Sequence, residues 1–71
     1  MKIEKLGLSI EEVERFIDNY IFSARDRKIL KNRWLNSVKL DTLAEKCNLS
    51  VRQVNRIVDA AEEKIIKHYK K

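Results

Sequence analysis

Proline is absent from this chain of 71 residues, and glycine occurs once, at Gly7. Tight β-turns depend on these two residues for backbone angles that other residues adopt only at a cost, so a sheet protein would be short of turns. Long segments without proline or glycine favour helices. Because 44% of the residues are hydrophobic, there is enough apolar surface for a core. The sequence predicts an all-α fold in a single domain spanning 1–71.

Serine residues mark where helices begin. Ser9 and Ser23 each precede an acidic residue by three positions, as the first residue of a capping box does. Ser50 precedes a third and longer helical pattern. The sequence predicts a four-helix domain: one helix after Ser9 within residues 1–22, and three more over 24–35, 40–47 and 51–69.

Apolar residues recur at helical spacing in each segment, which predicts the side that faces the core. Trp34 is expected in the core, and His68 is expected to interact with the dipole at the end of the last helix. The predicted core-facing residues are Ile10, Val13, Phe16, Ile17 and Tyr20, then Ile29, Leu30 and Trp34, then Leu40, Leu43, Ala44 and Cys47, and finally Val54, Ile57, Val58, Ala61 and Ile65.

Positive charge is concentrated in the last fifty residues. The chain has 16 Lys and Arg against 11 Asp and Glu, a net charge of +5. Residues 1–22 have a net charge of −2, and residues 23–71 have one of +7. A basic segment of this kind is typical of proteins that bind nucleic acid, while a basic solvated surface would give the same composition.

Several classes of protein are excluded by what the sequence lacks. One cysteine and one histidine cannot form a disulfide or supply the ligands of a zinc site. No serine, histidine and aspartate pattern indicates a catalytic triad. No apolar run approaches the roughly 20 residues of a membrane span. We therefore expect a cytoplasmic, nucleoid-associated protein that is not an enzyme and has no metal, cofactor or membrane partner.

The third and fourth predicted helices carry the pattern of a helix-turn-helix: a short helix, a three-residue turn and a longer helix. Ala44 is small enough for the two helices to cross closely, and Leu49 supplies an apolar residue in the turn. Asn48 tolerates the left-handed backbone that such a turn favours. Val54 and Ile57 lie on the inner face of the longer helix, predicted over 51–69. The alternative is a plain helical bundle that uses the same residues as core.

The fourth helix presents a polar face opposite its apolar one. At 100° per residue, Arg52 and Arg56 point away from Val54, with Gln53 and Asn55 on either side. Arginine can bridge O6 and N7 of guanine, and asparagine or glutamine can pair with adenine in the major groove. A recognition helix reads bases from its first turns, where these residues lie. They are the predicted base-reading residues; the alternative is an ordinary solvated face.

Contacts to the DNA backbone are expected from basic residues on the second and third helices, whose exposed amide ends also attract phosphate. Surface lysine and arginine are common in any protein, so only part of this set is expected to touch DNA. The set consists of Arg25, Arg27, Lys28, Lys31, Lys39 and Lys46.

Three stretches of the chain match one known pattern without a gap. They are S-A-R-D-R-K-I-L-K-N-R-W, L-D-T-L-A-E-K-C-N-L-S and V-R-Q-V-N-R-I. The pattern reads P-E-R-E-R-x-V-L-x-L-R-Y, L-E-E-I-A-E-R-L-G-V-S and R-E-R-V-R-Q-I. From Phe22 to about Ile66 the chain thus resembles region 4 of the sigma-70-like bacterial sigma factors. It is also similar to small region-4-like proteins of phages and mobile elements.

This resemblance implies a sequence-specific DNA-binding transcription regulator whose recognition helix, at about 51–69, enters the major groove. It adds Val51 to the predicted base-reading set, because Val51 matches a family position that reads the −35 promoter element. The chain also departs from the family. Ser37 and Asn48 stand where the family has glycine, and the family's Arg and Glu are replaced by Val51 and Arg52.

Two alternative functions are open at this point. One is the DNA-recognition subunit of a phage packaging (small terminase) complex, and the other is a protein adaptor that contacts RNA polymerase. A complete sigma factor also needs a domain that grips the polymerase core, which 71 residues cannot contain. Besides double-stranded DNA, RNA polymerase and a second copy of the chain are candidate partners. Ile66, flanked by Tyr69 and Val58, is expected either to receive the first helix or to contact such a partner.

Overall fold

The computed structural model of the protein describes residues 6–69, which form four α-helices and no strand. This confirms the predicted all-α fold, and the predicted bounds of the last three helices agree with the observed ones. α2 lies at the centre, because it packs against each of the other three helices. The helices are α1 (Ile10–Tyr20), α2 (Ala24–Leu35), α3 (Leu40–Cys47) and α4 (Val51–Tyr69).

Serine side chains cap α1, α2 and α4, as predicted. The Ser9 hydroxyl accepts a hydrogen bond from the Glu12 N–H at 3.1 Å, and the Ser9 N–H donates to the Glu12 carboxylate at 3.1 Å. Ser23 accepts from the Asp26 N–H at 3.3 Å. Ser50 accepts from the N–H three residues on at 3.1 Å. These bonds satisfy amide groups that a helix start leaves without partners, so the sequence determines three starts locally.

The connections on either side of α3 each contain a residue in the left-handed conformation. Asn48 has φ 55°, and the next N–H, from Leu49, donates to the Ala44 carbonyl at 2.9 Å. That bond is the one expected where a left-handed residue ends a helix. Ser37, between α2 and α3, has φ 54°. The expected left-handed turn at Asn48 is confirmed, and Ser37 adds a second one.

We expect Asn48→Gly to retain or slightly raise stability and Asn48→Ala to lower the free energy of unfolding by about 1 kcal/mol. Glycine adopts positive φ without steric cost, whereas alanine has neither that freedom nor a polar side chain to bond locally. Urea denaturation followed by circular dichroism measures both changes. Equal stability of the two variants would contradict a left-handed requirement at this position.

The core is an apolar cluster in which all four helices take part, and most of its members were predicted. The prediction was wrong for Ile10, whose side chain is 68% exposed, and for Tyr20, which is 44% exposed. Both lie at the ends of α1, where the neighbouring helices cover only part of its apolar stripe. The buried residues are Val13, Phe16, Ile17, Ile21, Ile29, Leu30, Trp34, Leu43, Ala44, Val54, Val58, Ala61 and Ile65.

An aromatic cluster joins the end of α1 to the end of α4. The His68 ring centroid lies 4.6 Å from that of Tyr20 and 5.6 Å from that of Phe16. The Phe16 and Tyr20 rings stack on each other at 5.0 Å. Tyr69 is 6.3 Å from Phe16, and Ile66 packs at the edge of the core. His68 therefore contacts α1 as well as lying at the C-terminal end of α4, where only the dipole interaction was predicted.

Candidate nucleic-acid interface

The predicted interface lies where α3 and α4 meet. The two helices pack against each other and are joined by residues 48–50. Ala44 and Val54 are buried at this contact, while Leu49 and Ile57 are partly buried beside it. The short connection and the apolar contact together fix the direction of the first turns of α4 relative to α3. The polar face of these turns therefore has a defined position on the molecule.

All five predicted base-reading residues are exposed. Val51, Arg52 and Gln53 form the first turn of α4, and Asn55 and Arg56 lie on the second. Arg52, Asn55 and Arg56 make no side-chain hydrogen bond or ion pair with another described residue. Their donors are consequently available to an external ligand, and the fold places them together at one end of α4.

Gln53 has a structural role that the sequence reading did not assign. Its side-chain oxygen accepts a hydrogen bond from the Ser50 N–H at 2.9 Å, which completes a capping box at the start of α4. Pairing with adenine needs both the oxygen and the nitrogen of the amide. Gln53 would have to break the cap to make that pair, whereas Asn55 would not. A Ser followed three residues later by Gln is the signal that identifies this cap.

Three of the six predicted backbone-contacting cations bind other groups of the protein. Arg27 donates to the carbonyls of Ile21 at 2.8 Å and Phe22 at 2.9 Å, which caps the end of α1. Arg25 pairs with the adjacent Asp26 at 3.2 Å. The Lys31 ammonium lies 2.8 Å from an oxygen of Asp18 and joins α2 to α1. None of these interactions was predicted; those of Arg27 and Lys31 depend on how α2 packs against the end of α1.

The other three cations, Lys28, Lys39 and Lys46, make no side-chain hydrogen bond or ion pair within residues 6–69. Lys39 is also the N-cap of α3, and its side chain makes no capping hydrogen bond. The first amide groups of α3 therefore lack the serine oxygen that caps each other helix, although Asp41 places negative charge in this turn. Of the predicted contacts to the DNA backbone, the first amides of α3 and the lysines near this helix are thus the ones available to bind phosphate.

Sequence reasoning missed Arg33, which stabilises the approach to α3. Its guanidinium donates to the Val38 carbonyl at 3.2 Å, and the Val38 N–H donates to the Asn32 carbonyl at 3.0 Å. A basic residue in the last turn of a helix is the sequence signal for such a bond. Together these bonds hold the connection between α2 and α3, and so fix the position of Lys39.

Neither a metal-binding cluster nor a membrane-spanning helix is found in the described part of the chain. Within residues 6–69 no group of three His, Cys, Asp or Glu side chains is placed to hold a metal ion. No helix there is both long and apolar enough to cross a membrane. Comparisons with models of protein families, with curated proteins and with solved structures found no match. The residues and their geometry therefore carry the functional argument.

Proposed function

We propose that the protein is a DNA-binding transcription regulator that places the first two turns of α4 in the major groove of double-stranded DNA. The observation that carries this proposal is the arrangement of Arg52, Asn55 and Arg56. These side chains are exposed and have no partner among the described residues. Arg52 and Arg56 lie opposite the buried Val54, and Asn55 lies beside them. The apolar face of α4 fixes the helix to the core, and its first turns present polar side chains outward. Base reading in the major groove requires this placement.

The chemistry of these residues matches the edges of bases. The planar guanidinium of Arg52 or Arg56 can donate two parallel hydrogen bonds to O6 and N7 of guanine. The Asn55 amide can pair with N6 and N7 of adenine, and Val51 can contact the methyl group of thymine. Arg52 and Arg56 lie one helical turn apart, so they would reach neighbouring base pairs. The expected target is a short site that contains guanine.

Contacts to phosphates would position this helix. Lys39 and the uncapped amides of α3 lie before the turn, and Lys46 lies near the end of α3. Lys28 is exposed on α2, which packs against both α3 and α4. Contacts of this kind hold a protein in register on the duplex without reading its sequence. The proposed interface therefore separates base reading on α4 from backbone binding on α2 and α3.

Backbone angles support the resemblance to sigma factor region 4. The two positions at which that family has glycine are Ser37 and Asn48, and both adopt positive φ, at 54° and 55°. Glycine is favoured where φ is positive because it has no Cβ. The agreement at two positions supports a region-4-like regulator over a plain helical bundle.

Selection of bound duplexes from a random-sequence pool, followed by fluorescence anisotropy on the selected and on unrelated DNA, tests the proposal. We expect a selected site with guanine, bound at least about 10³-fold more tightly than unrelated DNA. Equal affinity for both duplexes would contradict sequence-specific regulation. A repeat with RNA polymerase added distinguishes the adaptor, because an adaptor would bind the fragments only when polymerase is present.

Affinity for DNA is expected to fall steeply with salt. If Lys and Arg neutralise about five phosphates, the logarithm of the association constant should fall with the logarithm of salt concentration with a slope of about −4 to −5. Anisotropy titrations between 50 and 200 mM salt, roughly the range over which counterion release is measured, give this slope. A slope near zero would exclude nucleic acid as the main partner.

A further inference from the structure

An exposed aromatic surface surrounds Phe22, next to a groove that Arg56 of the proposed reading turns also lines. It borders a groove of about 380 Å³ between the end of α1 and the last turns of α4. Phe22 is 85% exposed and also borders the adjacent groove against α4. We name this region the Phe22 surface. The residues that line it are Phe16, which is itself buried, together with Tyr20, Phe22, Lys64, Lys67 and His68.

The composition of the Phe22 surface defines what can cover it. A large exposed apolar side chain in a groove, with polar residues around it, is typical of an interaction site. Lys64 and Lys67 lie at its rim, and no carboxylate of the described residues lines it. Two Phe22 surfaces placed face to face would bring four lysines together, which is unfavourable. The occupant must therefore present apolar groups together with negative charge.

The outer side of α1 presents that combination. Ile10 is 68% exposed, and Glu11 and Glu14 are exposed beside it within the first two turns. Neither glutamate forms an ion pair with another described residue. We name Ile10, Glu11 and Glu14 the α1 acidic patch. Arg15 lines the same groove as the two glutamates, so these three charged residues carry a net charge of −1. This charge is opposite in sign to that of the Phe22 surface, and both belong to the same chain.

We propose that two copies of the protein associate through these surfaces, with the α1 acidic patch of one copy on the Phe22 surface of the other. A two-fold axis would form this contact twice, since each copy carries both surfaces. Ile10 would then cover apolar area around Phe22, while Glu11 and Glu14 would approach Lys64 and Lys67. The contact needs no DNA, so it is independent of the proposed regulatory function.

Sedimentation equilibrium of the full chain without DNA tests this pairing through charge reversal. Glu14→Lys places a positive charge opposite Lys64, and Lys64→Glu places a carboxylate opposite Glu14. Each variant alone is expected to dimerise at least about tenfold more weakly than the unchanged protein, because like charges then meet. An equimolar mixture of the two variants is expected to recover a dimer, since each contact in the mixed pair again joins opposite charges.

Two further variants complete the test. Phe22→Ser should also weaken the dimer, because it removes apolar area from the contact. Lys46→Glu reverses a charge on α3, outside both surfaces, and should leave the dimerisation constant unchanged. Circular dichroism of each variant shows whether it is folded. The proposal is overturned if the unchanged protein stays monomeric at about 1 mM, the weak end of protein association, or if the mixture stays monomeric. If the protein stays monomeric and binds an acidic peptide, the Phe22 surface is a binding site for another protein instead.

Discussion

Trp34→Ala is expected to lower the free energy of unfolding by about 3–5 kcal/mol. The indole is only 7% exposed and belongs to α2, the helix that contacts all the others. Its removal would leave a cavity that the surrounding helices cannot fill completely. A core of this size rarely supplies more than about 3–5 kcal/mol, so most of the variant should be unfolded at 25 °C. Urea denaturation followed by far-ultraviolet circular dichroism measures the loss.

Trp34→Phe is the matched control for this prediction. Phenylalanine retains most of the apolar area and removes the indole N–H, which has no hydrogen-bond acceptor within residues 6–69. Losing that N–H removes a polar group that is buried without a partner. This gain in stability offsets part of the free energy lost with the packing contacts of the indole. The control should therefore be folded and much more stable than Trp34→Ala. If Trp34→Ala kept the unfolding midpoint of the unchanged protein and lost only DNA, Trp34 would be a contact residue.

Arg56→Ala is expected to cost about 1–3 kcal/mol of binding free energy on the preferred DNA site and less on unrelated DNA. The guanidinium is exposed on the second turn of α4 and makes no ion pair with a described residue. Its loss should therefore change DNA recognition without unfolding the protein. Anisotropy titrations on both duplexes, with circular dichroism as a check on folding, measure the two effects separately.

Two substitutions serve as controls for Arg56. Arg56→Lys keeps the charge but cannot form the two parallel hydrogen bonds, so it should retain affinity for unrelated DNA and lose discrimination. Lys28→Ala removes one charge from the proposed set of contacts to the DNA backbone and should weaken binding to both duplexes equally. If Arg56→Ala also weakened both equally, Arg56 would act only as a positive charge, and base reading by this residue would be excluded.

The starts of α1, α2 and α4 and the end of α3 were predictable because their causes are local. Ser9, Ser23 and Ser50 each bond an amide three residues along the chain, and Asn48 supplies the left-handed residue after α3. These interactions depend on residues that are neighbours in sequence, so the sequence alone shows them. The same holds for most of the core, since periodic apolar residues identify the inner face of each helix.

The rest of the fold depends on how the helices pack, which brings side chains of one helix to groups of another. Arg27 and Lys31 were assigned to DNA, yet one binds carbonyls at the end of α1 and the other binds Asp18. Charge alone cannot show which basic side chain will meet an acceptor of the protein. In the same way, periodicity placed Ile10 in the core without indicating that no neighbouring helix covers that end of α1.

The candidate site likewise combines features that the sequence predicts with features that only the structure shows. The exposure of Arg52, Asn55 and Arg56 was predictable, because it follows from helical geometry about the buried Val54. The use of Gln53 in the cap of α4 also had a local signal, namely its spacing from Ser50. Only the structure shows that Phe22 stays exposed, since this depends on how α1 and α4 meet.

The length of α4 has a consequence for the spacing of DNA sites. Its 19 residues extend over about 28 Å without proline or glycine, and Arg56 lies about 12 Å along the axis from Lys64. The reading turns and the part of the Phe22 surface formed by Lys64, Lys67 and His68 therefore belong to one continuous helix, with no flexible linker between them. A pair of copies would hold its two reading ends at a fixed distance and phase. Each base pair inserted between two half-sites rotates the second half-site by about 35° around the DNA axis. Because α4 is continuous, the reading turns of the second copy cannot rotate to match.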